Sequence, residues 1–191
     1  MTTEVKRFTL NNVRLSFSSI WERAVFEGKP TKYEGTFLIN KEEQSDQMEK
    51  IEAQIKAALI EKFGELKKVP KNLLGNGEKV CYRDGDESEY DGYEGHMSFK
   101  ASNKMQPSVL NLNKEPLTED DNLIYSGCYV DAVVEIWIQN HPTYRKRVNA
   151  NLYAIRYRSE GTPFCGGRIP KDVESDFEDL DMDEDLSQAD I

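Results

Sequence analysis

The chain has 191 residues, 38% of them hydrophobic and 31% charged, which suits a globular protein and excludes fibrous classes. No apolar run approaches the ~20 residues that a membrane-crossing helix needs, and Met1 to Arg7 holds no apolar stretch of the kind a secretory signal carries. The net charge of −10 argues against a polyanion-binding protein, but only until it is divided along the chain.

The span from Asp172 to Ile191 contains ten acidic residues and no basic one, so the first 171 residues hold 25 of each sign. Within that neutral body, His141 to Lys171 carries Arg145, Lys146, Arg147, Arg156, Arg158, Arg168 and Lys171 against Glu160 alone. The reading is one folded domain over residues 1–171 with an acidic tail over 172–191. Cys81, Cys128 and Cys165 are odd in number and widely spaced, which fits reduced thiols in a cytosol better than a disulfide framework.

In chain order, Phe8 to Phe17 alternates as a strand, with Val13, Leu15 and Phe17 on one face. Gly28-Lys29-Pro30 reads as the turn into a second strand, Thr31 to Ile39, with Tyr33, Phe37 and Ile39 on one side. From Glu42 to Phe63 the period changes. Met48, Ile51, Ile55, Ala58, Leu59 and Phe63 form a stripe at helical spacing, with Asn40 and Glu43 as a capping pair and Gly64 as the stop. Lys67 to Gly77 is a loop. Lys79 to Arg83 predicts a short strand running into an acidic loop from Asp84 to Gly92. Gly95 to Ser102 is a strand with Met97, Phe99 and Ala101 on one face, and Leu117 to Asn122 holds turn residues.

Two longer strands close the pattern. Cys128 to Gln139 turns Ala132, Val134, Ile136 and Ile138 inward and Asp131, Glu135 and Trp137 outward. Arg147 to Arg158 turns Val148, Ala150, Leu152 and Ala154 inward, with Arg147, Asn149, Asn151, Tyr153 and Tyr157 opposite. His141 to Tyr144 joins them as a hairpin loop. Several strands and one helix predict a mostly β fold, a small antiparallel barrel with one added amphipathic helix.

No catalytic constellation emerges. The acidic loop fails the calcium-loop pattern, because Glu89 stands where the sixth-position glycine belongs and Gly95 where the twelfth-position glutamate belongs. A solvated loop is the better reading, with a metal-dependent nuclease as the competing one. His96 and His141 lack Cys, Asp or Glu neighbours at zinc spacing, and nothing favours a Cys/His nucleophilic pair. Gly166-Gly167 lacks the lysine and helix of a phosphate-binding loop. The sequence therefore predicts no enzyme, no cofactor and no metal.

A binding signal is present. Single-stranded nucleic acid is held by cations along the phosphates and aromatic rings under the bases. Tyr144-Arg145-Lys146-Arg147 interleaves both types in the hairpin, and Tyr153, Arg156, Tyr157 and Arg158 continue them. Trp137 places a large ring on the polar face of its strand, and Lys100 adds a cation. These ten residues are the candidate DNA contacts. A strand tyrosine is also an ordinary packing residue, and an arginine cluster can equally be a solvated edge that discourages strand pairing; the residues alone leave both readings open.

In the tail, acids alternate with Val173, Phe177, Leu180, Met182 and Leu186, too little apolar surface to fold alone, so the segment should be disordered. A solubility appendage is the plain reading. Docking on a partner with basic and apolar patches, centred on Asp176, Phe177, Glu178, Asp179, Leu180 and Asp181, is the functional one, and folding back on the body's own basic face is another. An adaptor whose tail does the work without DNA binding is the alternative to a DNA-binding module.

Seven stretches taken together carry a resemblance: Val13-Arg14-Leu15-Ser16-Phe17, Lys32 to Ile39, Tyr82 to Asp86, Gly95 to Lys104, Ile124 to Val130, Gly166-Gly167-Arg168 and Asp176 to Leu180. In that set and order the chain resembles the single-stranded-DNA-binding proteins of tailed bacteriophages, of the gene 2.5 type. The resemblance implies an OB-fold barrel with an added helix, sequence-tolerant binding of single strands in phage replication or recombination, and no catalysis. It also implies an acidic tail that meets phage or host replication proteins, action in the cytoplasm of an infected bacterium, and no membrane partner. Self-association stays open.

Overall fold

The computed structural model of the chain describes residues 5–164 apart from Asn76 and Tyr144. Tyr144 of the hairpin, Cys165, Arg168, Lys171 and the tail candidates Asp176 to Asp181 lie outside the described residues. The strands in order are β1 (Phe8–Ser19), β2 (Val25–Phe26), β3 (Lys29–Pro30), β4 (Tyr33–Asn40), β5 (Tyr82–Asp84), β6 (His96–Asn103), β7 (Ser108–Leu110), β8 (Tyr129–His141) and β9 (Arg145–Ser159). Helix α1 (Ser45–Phe63) follows β4.

β1 lies antiparallel between β4 and β8; β4 pairs onward with β6, and β8 with β9. The ring closes where β6 meets β9 in parallel at Ser102 and Asn151, and Asn103 Nδ2 donates to the Leu152 carbonyl at 3.2 Å. Further along, β6 and β9 diverge and the chain before β5 fills the gap. The Cys81 N–H donates to the Val148 carbonyl, the Val148 N–H to the Lys79 carbonyl and the Lys100 N–H to the Cys81 carbonyl. Closing a five-stranded sheet in this way removes its free edges, and the connectivity is that of an OB fold.

Period-two alternation sends Leu10, Val13, Leu15, Phe37, Ile39, Phe99, Val130, Val134, Ile136, Val148 and Leu152 into one fully buried core. Helix α1 plugs the barrel with Ile51, Ala58 and Leu59, while Met48, Ile55 and Phe63 pack at the margin. Its stop is as expected: Gly64 adopts φ 82° and its N–H bonds the Ile60 carbonyl. Its start is later than expected. Asn40 Oδ1 does accept the Glu42 and Glu43 N–H groups at 2.9 and 3.1 Å, but the reciprocal bond to the Asn40 N–H comes from Gln44 Oε1, not Glu43. The helix proper begins one turn later.

Three further departures have local causes. The expected turn at Gly28-Lys29-Pro30 is a two-residue hairpin turn at Glu27-Gly28, both at positive φ, so Lys29–Pro30 becomes strand β3. Strand β7, absent from the expected elements, pairs in parallel with the far part of β9. In β9 the register against β8 shifts between Leu152 and Ala154, and this bulge reverses the alternation. Ile155 becomes the buried residue, Ala154 does not reach the core as expected, and Tyr157 packs against the core instead of facing outward.

β1 is also bulged, at Asn11–Asn12 and at Ser16–Phe17. A bulge leaves backbone N–H groups without a ladder partner. At the first, Asn11 donates to Gln47 Oε1 of α1 at 2.9 Å, and Asn12, at φ 52°, donates to Asp131 Oδ1 at 2.8 Å. That use of Asp131 governs much of the surface described next.

Candidate nucleic-acid interface

An open cleft of about 860 Å³ runs over the outer face of β4 and β6. Its floor is Glu34 and Thr36 of β4 with Ser98, Lys100 and Ser102 of β6, the residues that alternation turns away from Phe37, Phe99 and Ala101. One wall comes from the β8–β9 end, with Gln139, Arg147 and Asn149. The other comes from the end of β1 and the loop after β5, with Phe17, Ser18, Ser19, Tyr90 and Tyr93. Lys32 and Arg83 complete the cationic lining. This is the strand face that OB folds present to oligonucleotides.

Four cations, Lys32, Arg83, Lys100 and Arg147, share the cleft with Glu34, Glu78, Asp84 and Glu87. Not all of these charges are free. Lys100 Nζ lies 3.2 Å from Glu34, and Asp84 is taken by Lys41 at 2.5 Å. Among the described residues, Lys32, Arg83 and Arg147 enter no salt bridge. They stand beside the hydroxyl and amide groups of Ser18, Ser98, Ser102 and Asn149, donors suited to phosphate oxygens.

The loop from Asp84 to Gly95, read from sequence as solvated acid, is an organised wall. Lys41 Nζ bridges Asp84 and Asp86 at 2.5 and 2.6 Å. Asp84 also caps the Asp86 N–H, and Asp86 Oδ1 accepts the Gly95 N–H at 2.7 Å. These bonds hold both carboxyls below the usual carboxylate range, the Lys41 bond being the main cause, and hold Lys41 above the usual lysine value. Gly85 has no room for a Cβ, which would strike the carbonyl oxygens of Tyr93 and His96. Tyr93 is buried and its hydroxyl bonds Ser16 Oγ at 3.0 Å, exactly where β1 bulges. Asp84 and Asp86 are thus consumed in shaping the loop while Glu87, Glu89, Asp91 and Glu94 stay exposed, and among the described residues no group of three or more His, Cys, Asp or Glu side chains converges on a metal position. Cys81 lines the cleft, but burial pushes its thiol up to about 12, so it is not a ready thiolate.

The structure brings together only part of the predicted contact set. Lys100 and Arg147 both line the cleft, on its floor and one wall, and Arg145, exposed and at φ 60°, opens the hairpin end of the Arg147 strand. Lys146 points instead to the end of α1, its Nζ 5.0 Å from the Phe63 ring centroid. Trp137 sits on the outer face of β8 opposite Asn149, half-buried, with Nε1 enclosed and unpartnered among the described residues. The Tyr153 ring is covered by the Arg7 guanidinium at 3.9 Å. Tyr157 is core packing. Arg156 and Arg158 converge on Asp131, which is 3% exposed; Arg156 donates to it through both Nε and Nη2. A buried carboxylate must be paired, and Asp131 is buried because it serves the β1 bulge.

Sequence reasoning missed Phe17, Tyr90, Lys32 and Arg83. Phe17 fitted the apolar alternation of β1, and only the bulge at Ser16–Phe17 turns it out. The run Ser16-Phe17-Ser18-Ser19, an aromatic isolated among small polar residues, was the available signal. Tyr90 was hidden in the acidic loop.

The chain matches the family described as Enterobacter phage Enc34, ssDNA-binding protein, over residues 6–187. It is 39% identical over 181 residues to protein p50 of Acyrthosiphon pisum secondary endosymbiont phage 1, covering 93% of this chain and 96% of that one. The single-stranded DNA-binding protein of bacteriophage Enc34, solved in complex with ssDNA, aligns with a TM-score of 0.71 at 29% identity, over 83% of this chain and 89% of that one. The single-stranded DNA-binding protein gp2.5 of bacteriophage T7 shares the fold at a TM-score of 0.51 and 14% identity, over 84% of this chain and 96% of that one. With its matched span taking in the whole barrel and its fold shared with both phage proteins, the chain belongs to the Enc34 single-stranded-DNA-binding protein family.

Proposed function

We propose that this protein binds single-stranded DNA without catalysis, along the outer face of β4 and β6. The observation that carries the reading is the open cleft on that face, with cations at Lys32, Arg83, Lys100 and Arg147, in a chain whose 29%-identical structural neighbour is described in complex with ssDNA. Arg145 extends the path at the hairpin, Trp137 lies beyond Asn149 on the same outer surface, and Tyr144 is a proposed contact on its sequence position alone. Lys146, Tyr153, Tyr157, Arg156 and Arg158 have intramolecular partners that account for them without DNA.

The role follows as coating and protection of single strands in phage replication and recombination, in the cytoplasm of an infected cell. Residues 1–171 act as the binding domain. The acidic stretch 172–191 acts as the recruiting segment for replication or recombination proteins, with Asp176, Phe177, Glu178, Asp179, Leu180 and Asp181 at its centre. Its charge alone supports a second effect, competition with DNA for the cleft. The last described residue, Phe164, lies against Gly92, between Tyr90 and Tyr93, so the chain passes the cleft wall before the tail begins.

A fluorescent oligonucleotide titrated at several salt concentrations tests the reading. For single strands each neutralised phosphate contributes about 0.7 to the slope of log affinity against log salt. Replacing Lys100 and Arg147 together by alanine should weaken binding and flatten that slope by about 1.4. An unchanged affinity and slope would remove the β4–β6 face from the DNA path.

A further inference from the structure

Past the end of α1 the chain carries more positive charge than its packing uses. Residues 62–79 hold five lysines, at 62, 67, 68, 71 and 79, against Glu65 and Glu78. Packing accounts for the apolar residues among them: Val69 and Leu73, 6% and 0% exposed, anchor two three-residue turns, Leu66–Lys68 and Lys71–Leu73, to the core. Lys62 has a helical role, because a cation in the last turn of α1 complements its dipole. Lys67, Lys68 and Lys71 have neither role. They are exposed, and among the described residues they enter no salt bridge. Like charges gathered in one short segment repel, so folding gains nothing from the concentration.

The two turns abut the rim of the cleft. Gly77 comes just before Glu78 and Val80 of the cleft lining, and it has no room for a Cβ because the Asn72 carbonyl lies against it. The second turn therefore sits directly on the chain that enters the cleft. The Lys79 carbonyl accepts the Val148 N–H, beside Arg147 on the cleft wall. Behind that wall the Lys146 ammonium rests on the Phe63 ring, 5.0 Å from its centroid, which joins the root of β9 to the end of the helix.

We infer that Lys67, Lys68 and Lys71 form a second phosphate-binding track, onto which a single strand longer than the cleft continues over the Arg147 wall. The inference rests on the proposed DNA path and extends it beyond the barrel face. The ligand is the phosphodiester backbone alone, since ammonium groups on flexible stems act as point charges and read no base. Continuity with the rim favours DNA over an acidic protein segment, because a strand crossing that wall meets these lysines next. The arginines of the far half of β9 lack this freedom, being held by Asp131.

The experiment titrates oligo(dT) from about 4 to about 16 nucleotides, the range a single OB fold occupies. The full chain is compared with a triple Lys67→Ala/Lys68→Ala/Lys71→Ala variant, its Lys→Arg counterpart at the same positions, and Lys100→Ala/Arg147→Ala. The triple alanine variant should match the parent on the shortest strand. On the longest it should bind about 10- to 100-fold more weakly near 0.1 M salt, with a salt slope smaller by about 2, three phosphates at about 0.7 each. The arginine variant should follow the parent, and Lys100→Ala/Arg147→Ala should lose affinity at every length. Loss in that double variant with none in the triple alanine variant would overturn the track and leave the cleft standing. Equal loss at all lengths, or the same loss in the arginine variant, would give the lysines a structural role and overturn it. A gain in affinity at every length would show that the lysines hold the acidic tail instead of DNA. Loss in the triple alanine variant alone would remove the cleft from the path, and the track as its extension.

Discussion

Two outer surfaces of this barrel carry cations and aromatic rings in similar proportion, and only one of them is open. On the far half of β9, Arg156 and Arg158 are drawn onto Asp131, Tyr153 is covered by Arg7, and Tyr157 faces the core. Around the cleft over β4 and β6, Lys32, Arg83 and Arg147 have no carboxylate partner among the described residues, and Phe17 and Tyr90 show their rings to solvent. The difference lies beneath the surface. One half of the barrel contains a bulge whose orphan N–H requires a buried carboxylate, and that carboxylate recruits the arginines. Cation-and-ring patterns therefore mark binding surfaces only where the barrel has no prior use for the charge.

The largest expected effect would break this contrast if it failed. Arg156→Ala leaves Asp131 buried with its main partner gone, and should cost about 3 kcal/mol of stability, the low end for a broken buried pair because the guanidinium is 32% exposed. Chemical denaturation measures it. DNA affinity of the folded protein should stay within about twofold, whereas a large affinity loss at unchanged stability would place DNA on the far half of β9 after all.

Smaller, and confined to the open side, is the effect of the Lys41 bridge. Asp84 and Asp86 are held below the usual carboxylate value, so their contribution is present above that value and fades as pH falls through their lowered folded values. Lys41 is held above the usual lysine value, so its contribution is present below that value and fades only as pH rises past its raised folded one. The side-chain carboxyl carbon resonances of Asp84 and Asp86 should keep their ionised positions down to about pH 5 and move only below about pH 4. Movement near neutrality would show that the bridge is not what shapes the wall. Lys41→Ala should weaken DNA binding less than Lys100→Ala with Arg147→Ala, because the Tyr93–Ser16 bond still holds the loop.

The smallest effect sharpens the account of the cleft's mixed charge. Glu34→Gln releases Lys100 from an exposed pair, which is worth only about 0.2–1 kcal/mol. Oligonucleotide affinity should rise by no more than a few fold at low salt, and the gain should vanish at high salt. A decrease would mean that Glu34 positions Lys100 for a phosphate rather than competing with it.

Much of the architecture was legible before any coordinates. The alternations around Phe37, Phe99 and Ile136, the stripe from Ile51 to Leu59 and the stop at Gly64 all appear where period and turn chemistry put them. The site was only half legible: Lys100 and Arg147 meet in the cleft, while Lys32, Arg83, Phe17 and Tyr90 had no local pattern to announce them. Phe17 fits the apolar alternation of β1 until the bulge turns it out, and Tyr90 is a single ring inside an acidic loop.

By itself the sequence determined the quantities that depend on near neighbours: which segments are the five barrel strands, where the one long helix runs, and how charge divides between body and tail. Tertiary structure alone decided which side of β1 and β9 each residue faces beyond its bulge, and which cations remain unpaired. The physical reason is range. Periodicity is written over a few residues, but the Asn12 amide finds Asp131 across 119 positions, and that single long-range bond settles the fate of two arginines.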